Sequence, residues 1–375
     1  MKIGILTLPL WNNYGGIIQA YALKKVLNNL GHDVTLIDYH HHIQKKELLK
    51  RNILRFFKHR ILRVKNAPFY PNISENRYIS KNTLDFIKKE FPSKTIIIDN
   101  NELLKSETAE LDAIIVGSDQ VWRPNYTPDI ANYFLKFATN NQIKIAYAAS
   151  LGTDKWIFNK DEQNECKSLV KKFEAISVRE DSAVGLLKEK LDIDAVQLVD
   201  PTMLITAKDY RELMGKYSTK KSEGKIFTYI LDQTEDIKNY ISKVESELGE
   251  KAYEVMPRKF DKNFHKNKSN YVFPSLLQWL RAFEDAEYVI ADSFHGCVFS
   301  IIFNKPFIAI GNKERGMARF HSLLKLFNLE DRLVFDVNNI NQDILKIPID
   351  WDAVNKTLEE QKELSQIFLK KSLNA

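Results

Sequence analysis

The chain has 375 residues, 44% of them hydrophobic and 28% charged, the composition of a globular protein with length for two cores at about 100 to 200 residues per domain. No apolar run approaches the roughly 20 residues that span a bilayer, and a formal charge of +6, from 55 basic and 49 acidic side chains, favours anionic ligands without requiring nucleic acid. The two cysteines, Cys166 and Cys297, stand in no metal or redox spacing, which predicts buried thiols in a reducing compartment.

KIGILTL, the turn PLWNNYGG and the helical IIQAYALKKVLNNL, stopped by Gly31 before a second strand, read as a βαβ unit. Its first residues lack a small-residue cleavage site, so the expected compartment is the cytoplasm. His40, His41 and His42 are consecutive, and on a strand consecutive side chains point to opposite faces, which argues against a metal site. Residues 45–65 carry Leu49, Ile53, Phe56, Phe57 and Ile61 on one side and Lys/Arg on the other. Two readings stay open for them: a helix packed on the sheet with its cations in water, and a peripheral contact with the inner face of a membrane.

DAIIVGSDQVW and IKIAYAASLG read as buried strands, 160–175 as a helix, AISVRE as a short strand, DSAVGLLKEKL as a helix, and VQLVDPTML as a strand ending at Asp200 and Pro201. The charged STKKSEGK at 218–225 reads as a linker. Beyond it strands IFTYILD, KAYEVMP, YVIADSF and PFIAIG alternate with helices over 234–248, 275–285, 296–303 and 317–327. An amphipathic helix over 352–371 follows. This alternation predicts the α/β class with parallel sheets covered on both faces. The expected division is a Rossmann-like domain over 1–217, a second over 225–345, and a C-terminal helical segment over 346–375 that packs back on the fold. Two doubly wound domains face each other across a cleft at the carboxyl ends of their strands, where such sheets bind ligands.

Polar residues at those strand ends are the candidates. After YVIA, Asp292, Ser293, Phe294, His295 and Gly296 turn into an apolar helix whose N-terminus welcomes an anion. His295 can move a proton near neutral pH, and Gly296 allows close approach to the backbone. The structural alternative is that Ser293 or Asp292 caps the helix while His295 satisfies a core hydrogen bond. Lys313, Arg315 and Arg319 follow PFIAIG and suit a phosphate or carboxylate. Arg179 ends a short strand just before a helix start, where a cation needs a partner other than the dipole. Ser118 and Asp119 follow DAIIV, with Asp119 either a base for a sugar hydroxyl or a cap. Asn13 and Tyr14 occupy the first turn of the βαβ unit, which is neither a dinucleotide fingerprint nor a phosphate-binding Walker loop.

NYGGIIQAYAL, VGSDQVW, YAASLG, SVREDS, VDPTML, DSFHGCVFSIIFNKPFIAIG and RGMARF, in this order over residues 1 to about 330, together resemble the polysaccharide pyruvyl transferase family. The resemblance implies a glycosyltransferase-B-like pair of Rossmann-type domains, the first on the acceptor side and the second on the donor side. It implies phosphoenolpyruvate as donor and, as acceptor, a sugar of a surface polysaccharide or its lipid-linked precursor. It places the family's functional arginine on Arg179, its cleft histidine on His295 and a later basic residue on Arg315. Many members carry an arginine two residues before that histidine, where this chain has Ser293; Lys313 or Arg319 is then the expected substitute.

On this reading His295 and Asp119 are catalytic. Arg179, Ser293, Gly296, Lys313, Arg315 and Arg319 bind the donor, and Asn13, Tyr14 and Ser118 bind the acceptor. No metal or other cofactor is required, since the cations do the charge work. A nucleotide-sugar glycosyltransferase of the same architecture and a non-catalytic sugar- or anion-binding relative remain alternatives.

Overall fold

The computed structural model describes residues 1–40, 50, 53, 70–92, 95–98, 100–312, 316–338 and 342–374. Lys313, Arg315 and, apart from Lys50 and Ile53, the basic segment 45–65 lie outside the described residues. Among the described residues no helix is long and apolar enough to cross a membrane.

Short apolar runs set the architecture. The strands β1 (Lys2–Leu6), β2 (Asp33–Tyr39), β3 (Thr95–Ile98), β4 (Ala113–Gly117), β5 (Ile143–Ala149), β6 (Ala175–Val178) and β7 (Val196–Gln197) form a seven-stranded sheet in the order β3-β2-β1-β4-β5-β6-β7. A second, five-stranded sheet takes β8 (Ile226–Tyr229), β9 (Ala252–Glu254), β10 (Tyr288–Ala291), β11 (Phe307–Ile310) and β12 (Leu333–Val334) in the order β12-β11-β10-β8-β9. Every pairing is parallel; Ile3 lies between Val34 and Ala113, and Ile290 between Thr228 and Ile308. Parallel strands need covering on both faces, which is why β4, β8, β10 and β11 are buried along their whole length. The result is the α/β architecture with two Rossmann-like sheets that the alternation predicts.

Each strand order reverses direction once, between β1 and β4 in the first sheet and between β8 and β10 in the second. The loops leaving the strands on either side of such a point diverge and open a crevice at the carboxyl edge.

Each lobe keeps an apolar cluster of its own, with Val116 and Leu187 in the first and Ile226 and Ile308 in the second, and a further cluster is shared between them. The shared cluster runs from Ile3, Ile5 and Leu23 in the first lobe to Phe227, Val289 and Phe299 in the second. The Tyr14 ring stacks on Trp279 with centroids 5.2 Å apart. Further along the junction Ser322 Oγ donates to Asp181 Oδ1 at 2.6 Å. The C-terminal helix Trp351–Ser372, capped by Asp350, packs beside Pro201–Leu204 and sets Phe368 against Tyr147, so it does fold back on the first lobe.

Some elements differ from expectation. VQLVDPTML supplies only the two-residue β7, because Asp200 accepts from the Thr202 N–H and starts a 3-10 turn at Pro201. The helix expected from 296 begins at Phe294, since Ser293 caps it. Helices Ile73–Ile79 and Ala207–Lys216 also form, each opened by a capping box, Asn72 with Glu75 and Thr206 with Asp209.

Candidate functional site

The two switch points face each other across one cavity of about 390 Å³, lined among others by Asn13, Asp119, Tyr126, Ser293, His295 and Arg319. Local structure aims each group. Asn13 leaves β1 as the cap of helix Tyr14–Asn29, accepting from the Gly16 N–H, and its amide donates to Asp119 Oδ2 at 3.1 Å. The other Asp119 oxygen accepts from the Gln120 N–H at 2.8 Å. On the second lobe Ser293 caps helix Phe294–Ile302 by accepting from the Gly296 N–H, which puts His295 in the first helical turn.

The centre of the polar network is Asp200, which is 1% exposed. Its Oδ1 accepts from Thr202 N at 3.0 Å and Thr202 Oγ1 at 2.8 Å. Its Oδ2 accepts from Ser118 Oγ at 2.6 Å and Arg179 Nη1 at 2.8 Å, and lies 3.6 Å from His295 Nε2. Burial by itself raises this carboxyl; the interaction with His295, the Arg179 charge and the Ser118 hydrogen bond outweigh it and hold the group well below the usual carboxylate range.

Arg179 is as buried as its partners. Its guanidinium lies over the Phe294 ring, 4.2 Å from Cζ to the centroid, and Nε is 3.7 Å from Glu180 Oε1. Among the described residues its Nε and Nη2 are buried without a hydrogen-bond partner. Arg319, on helix Ala318–Leu326, lines the cavity itself. Burial lowers the Arg319 guanidinium to about 10, with the Arg179 charge adding to the effect and Glu180 and Asp119 opposing it. Two guanidiniums thus share this corner with the carboxylates of Asp200, Glu180 and Asp119.

A β-bulge supports that corner. The register of β5 against β6 shifts between Ala146 and Ala149, and Ala148 takes the left-handed conformation at φ 46° while its N–H donates to Ser177 Oγ. The irregularity delivers Ser150 Oγ and the Leu151 N–H to the buried Glu180 carboxylate, which flanks Arg179.

Gly15 makes room for the histidine. A Cβ built on Gly15 would lie 2.0 Å from His295 Nδ1 and 2.5 Å from Cε1, so the imidazole packs directly on the backbone of the opposite lobe. Nε2 is the buried nitrogen, turned to Asp200. Nδ1 is on the side of Gly15, and both residues line the cavity.

The structure therefore brings Asn13, Tyr14, Asp119, Ser293, His295 and Arg319 to the cavity wall, joins Arg179 to His295 through Asp200, and gives Ser118, Tyr14 and Gly296 contacts within the fold. Ser118 is fully buried and spends its hydroxyl on Asp200 instead of facing an acceptor. Tyr14 donates its hydroxyl to Pro274 O at 2.7 Å, so it ties the lobes together. Gly296 is tightly packed, since a Cβ there would lie 2.4 Å from Ala291 Cβ. Ser293 lines the cavity, but its hydroxyl serves as the cap. Asp200 and Glu180 were not among the predicted site residues; their signal was an acid at the end of an apolar run, directly after it in VQLVD and after Arg179 in AISVRE. Among the described residues, no group of three or more His, Cys, Asp or Glu could hold a metal ion. Burial raises both thiols, Cys166 and Cys297, so neither is a ready nucleophile.

A sequence model of the family described as polysaccharide pyruvyl transferase matches residues 13–314. No curated protein sequence matches the chain. Among solved structures it is similar to the UDP-GlcNAc 2-epimerase from Neisseria meningitidis bound to UDP-GlcNAc, at 11% identity over 99% of this chain and 94% of that one, TM-score 0.44. It is similar to the UDP-GlcNAc 2-epimerase from Methanocaldococcus jannaschii at 14% identity over 96% and 92%, TM-score 0.45. To the spinosyn forosaminyltransferase SpnP the identity is 10% over 97% and 95%, TM-score 0.46.

Proposed function

The chain belongs to the polysaccharide pyruvyl transferase family, and on that premise we propose that its cavity transfers a pyruvyl group from phosphoenolpyruvate to a sugar diol, closing a cyclic ketal. The observation that supports this reading is that His295 and Arg319 line one cavity while the buried Arg179 is joined to His295 through Asp200. Phosphoenolpyruvate brings a carboxylate and a phosphate, and an anion beside the two guanidiniums relieves their mutual repulsion. The helix N-terminus behind Ser293 adds about half a positive charge.

In the reaction a sugar hydroxyl oxygen bonds to the central carbon of the donor while His295, as general acid, delivers a proton to the methylene carbon and creates the methyl group. The bond to the phosphate oxygen then breaks, and a second hydroxyl of the same sugar bonds to the same carbon. The two hydroxyl protons end on the methyl group and on the released phosphate, so the step balances without an oxidant or reductant. Asp119, held by Asn13 and the Gln120 N–H, orients or deprotonates the acceptor hydroxyl. The acceptor is a unit of a polysaccharide or of its lipid-linked precursor, and the basic segment 45–65 is the proposed contact with the membrane that carries such a precursor.

Incubation with phosphoenolpyruvate and a panel of galactose, glucose, mannose and N-acetylmannosamine glycosides tests the proposal by mass spectrometry. One acceptor should gain a pyruvate ketal. Binding of a nucleotide-sugar, with none of phosphoenolpyruvate, would replace this reading with glycosyl transfer.

A further inference from the structure

We propose that Asp200 is the positioning residue of this site: it couples the imidazole of one lobe to the anion-binding guanidinium of the other, and so arms the proton donor only when the lobes are correctly seated. The inference rests on the pyruvyl-transfer reading for what the proton does, and on geometry alone for the coupling.

Three observations carry it. Oδ1 is saturated by Thr202 N and Oγ1, which fixes the carboxylate plane. Oδ2 collects Ser118 and Arg179, and from the second lobe His295 Nε2 is turned to it, itself buried and without a hydrogen-bond partner among the described residues. Finally, the pair spans the junction: Asp200 follows β7 of the first sheet, and His295 follows β10 of the second. At 3.6 Å the contact is an ion-pair distance; a relative shift of about 0.7 Å brings it to hydrogen-bond length. Such tightening on substrate binding is ordinary for catalytic hydrogen bonds.

The consequence is a definite proton inventory. The charged imidazole holds one proton on Nε2, facing Asp200, and the other on Nδ1, on the side of Gly15. Nδ1 gives its proton to the donor, and the neutral ring that remains carries its hydrogen on Nε2, where the carboxylate accepts it. An anion drawn to Arg179 pulls on the same Oδ2, so donor binding and imidazole orientation are linked through one atom.

The test is the ring-nitrogen NMR spectrum of uniformly labelled full-length protein, taken without substrate, with His295→Gln used to assign the signal. The neutral His295 ring should be the Nε2–H tautomer, and Asp200→Asn should abolish that preference. In the same variant kcat for phosphate release should fall about 10- to 100-fold, the cost of losing an outer hydrogen-bond partner of an essential histidine. An Nδ1–H tautomer in the wild type overturns the proposal even if Asp200→Asn does not fold. An unchanged tautomer in a folded Asp200→Asn overturns it as well, and marks Asp200 as merely structural. Because the spectrum needs no donor, failure of the coupling is distinct from failure of the pyruvyl-transfer reading, which would show as the predicted tautomer in a protein that releases no phosphate.

Discussion

Gly15→Ala isolates the packing of the proposed acid from the chemistry around it. Gly15 lies in the first turn of helix Tyr14–Asn29 with an ordinary negative φ, so the backbone accepts a side chain there. Alanine is the better helix former by about 1 kcal/mol in a helix interior, and the helix itself has no reason to fail. The added Cβ, however, lands 2.0 Å from His295 Nδ1, where ordinary contact begins at 3.4 Å. The imidazole must therefore retreat by about 1.4 Å, and a misplacement of about 1 Å can cost a reaction about 100-fold. That corresponds to about 2.7 kcal/mol in the barrier. Steady-state phosphate release and a thermal melt, run on the same preparations, check this: kcat should drop by about two orders of magnitude while the melting temperature stays within a few degrees. A wild-type kcat in folded Gly15→Ala would refute the placement of His295 against this turn.

Arg179→Lys keeps the charge but loses the planar fork, so KM for phosphoenolpyruvate should rise about tenfold or more, since each lost charge-assisted hydrogen bond is worth about 1.5 to 3 kcal/mol; an unchanged KM would remove Arg179 from donor binding. Asp200 is held below its ordinary value by His295, Arg179 and Ser118 against the effect of burial. Its stabilising contribution is therefore complete above about pH 4 and lost as pH falls through the depressed folded value. Urea melts at pH 7 should show Asp200→Asn destabilised by about 3 to 5 kcal/mol, the cost of breaking a buried pair, and the gap to wild type should narrow in strong acid. Gly316 has φ 85°, and a Cβ there would lie 2.1 Å from Gly152 O across the lobe junction. Gly316→Ala should accordingly cost about 1 to 3 kcal/mol through strain, more with the clash, read as a lowered melting temperature.

Much of the site was legible because its groups follow apolar runs. KIGIL, AIIVG, YVIA and FIAI are strands by composition, and the polar residues just beyond them fall at the carboxyl edge whatever the detailed packing. Asn13, Asp119, Ser293, His295 and Arg319 were found that way. What the chain does not display is pairing between distant segments. Ser118 reaches Asp200 because β4 and β7 lie in one sheet, and Gly15 accommodates His295 because two sheets meet, and neither spacing leaves a local signature. Gly15 looks like a turn glycine and Gly296 like a ligand-approach glycine, yet the first clears space for an imidazole and the second for Ala291. Asp200 was read as the end of a strand, while the Thr202 hydrogen bonds make it a cap and its second oxygen a hub. Helices Ile73–Ile79 and Ala207–Lys216 announce themselves by capping boxes more than by apolar period.

The most direct test of the account is acceptor-dependent phosphate release from phosphoenolpyruvate, with wild type and His295→Ala side by side across the glycoside panel. The account predicts release that requires one acceptor and falls by at least about 100-fold in the variant, the contribution of a positioned general acid, with the fold intact. Near-normal release by a folded His295→Ala would contradict the role given to His295, and no phosphoenolpyruvate binding by the wild type would contradict pyruvyl transfer itself.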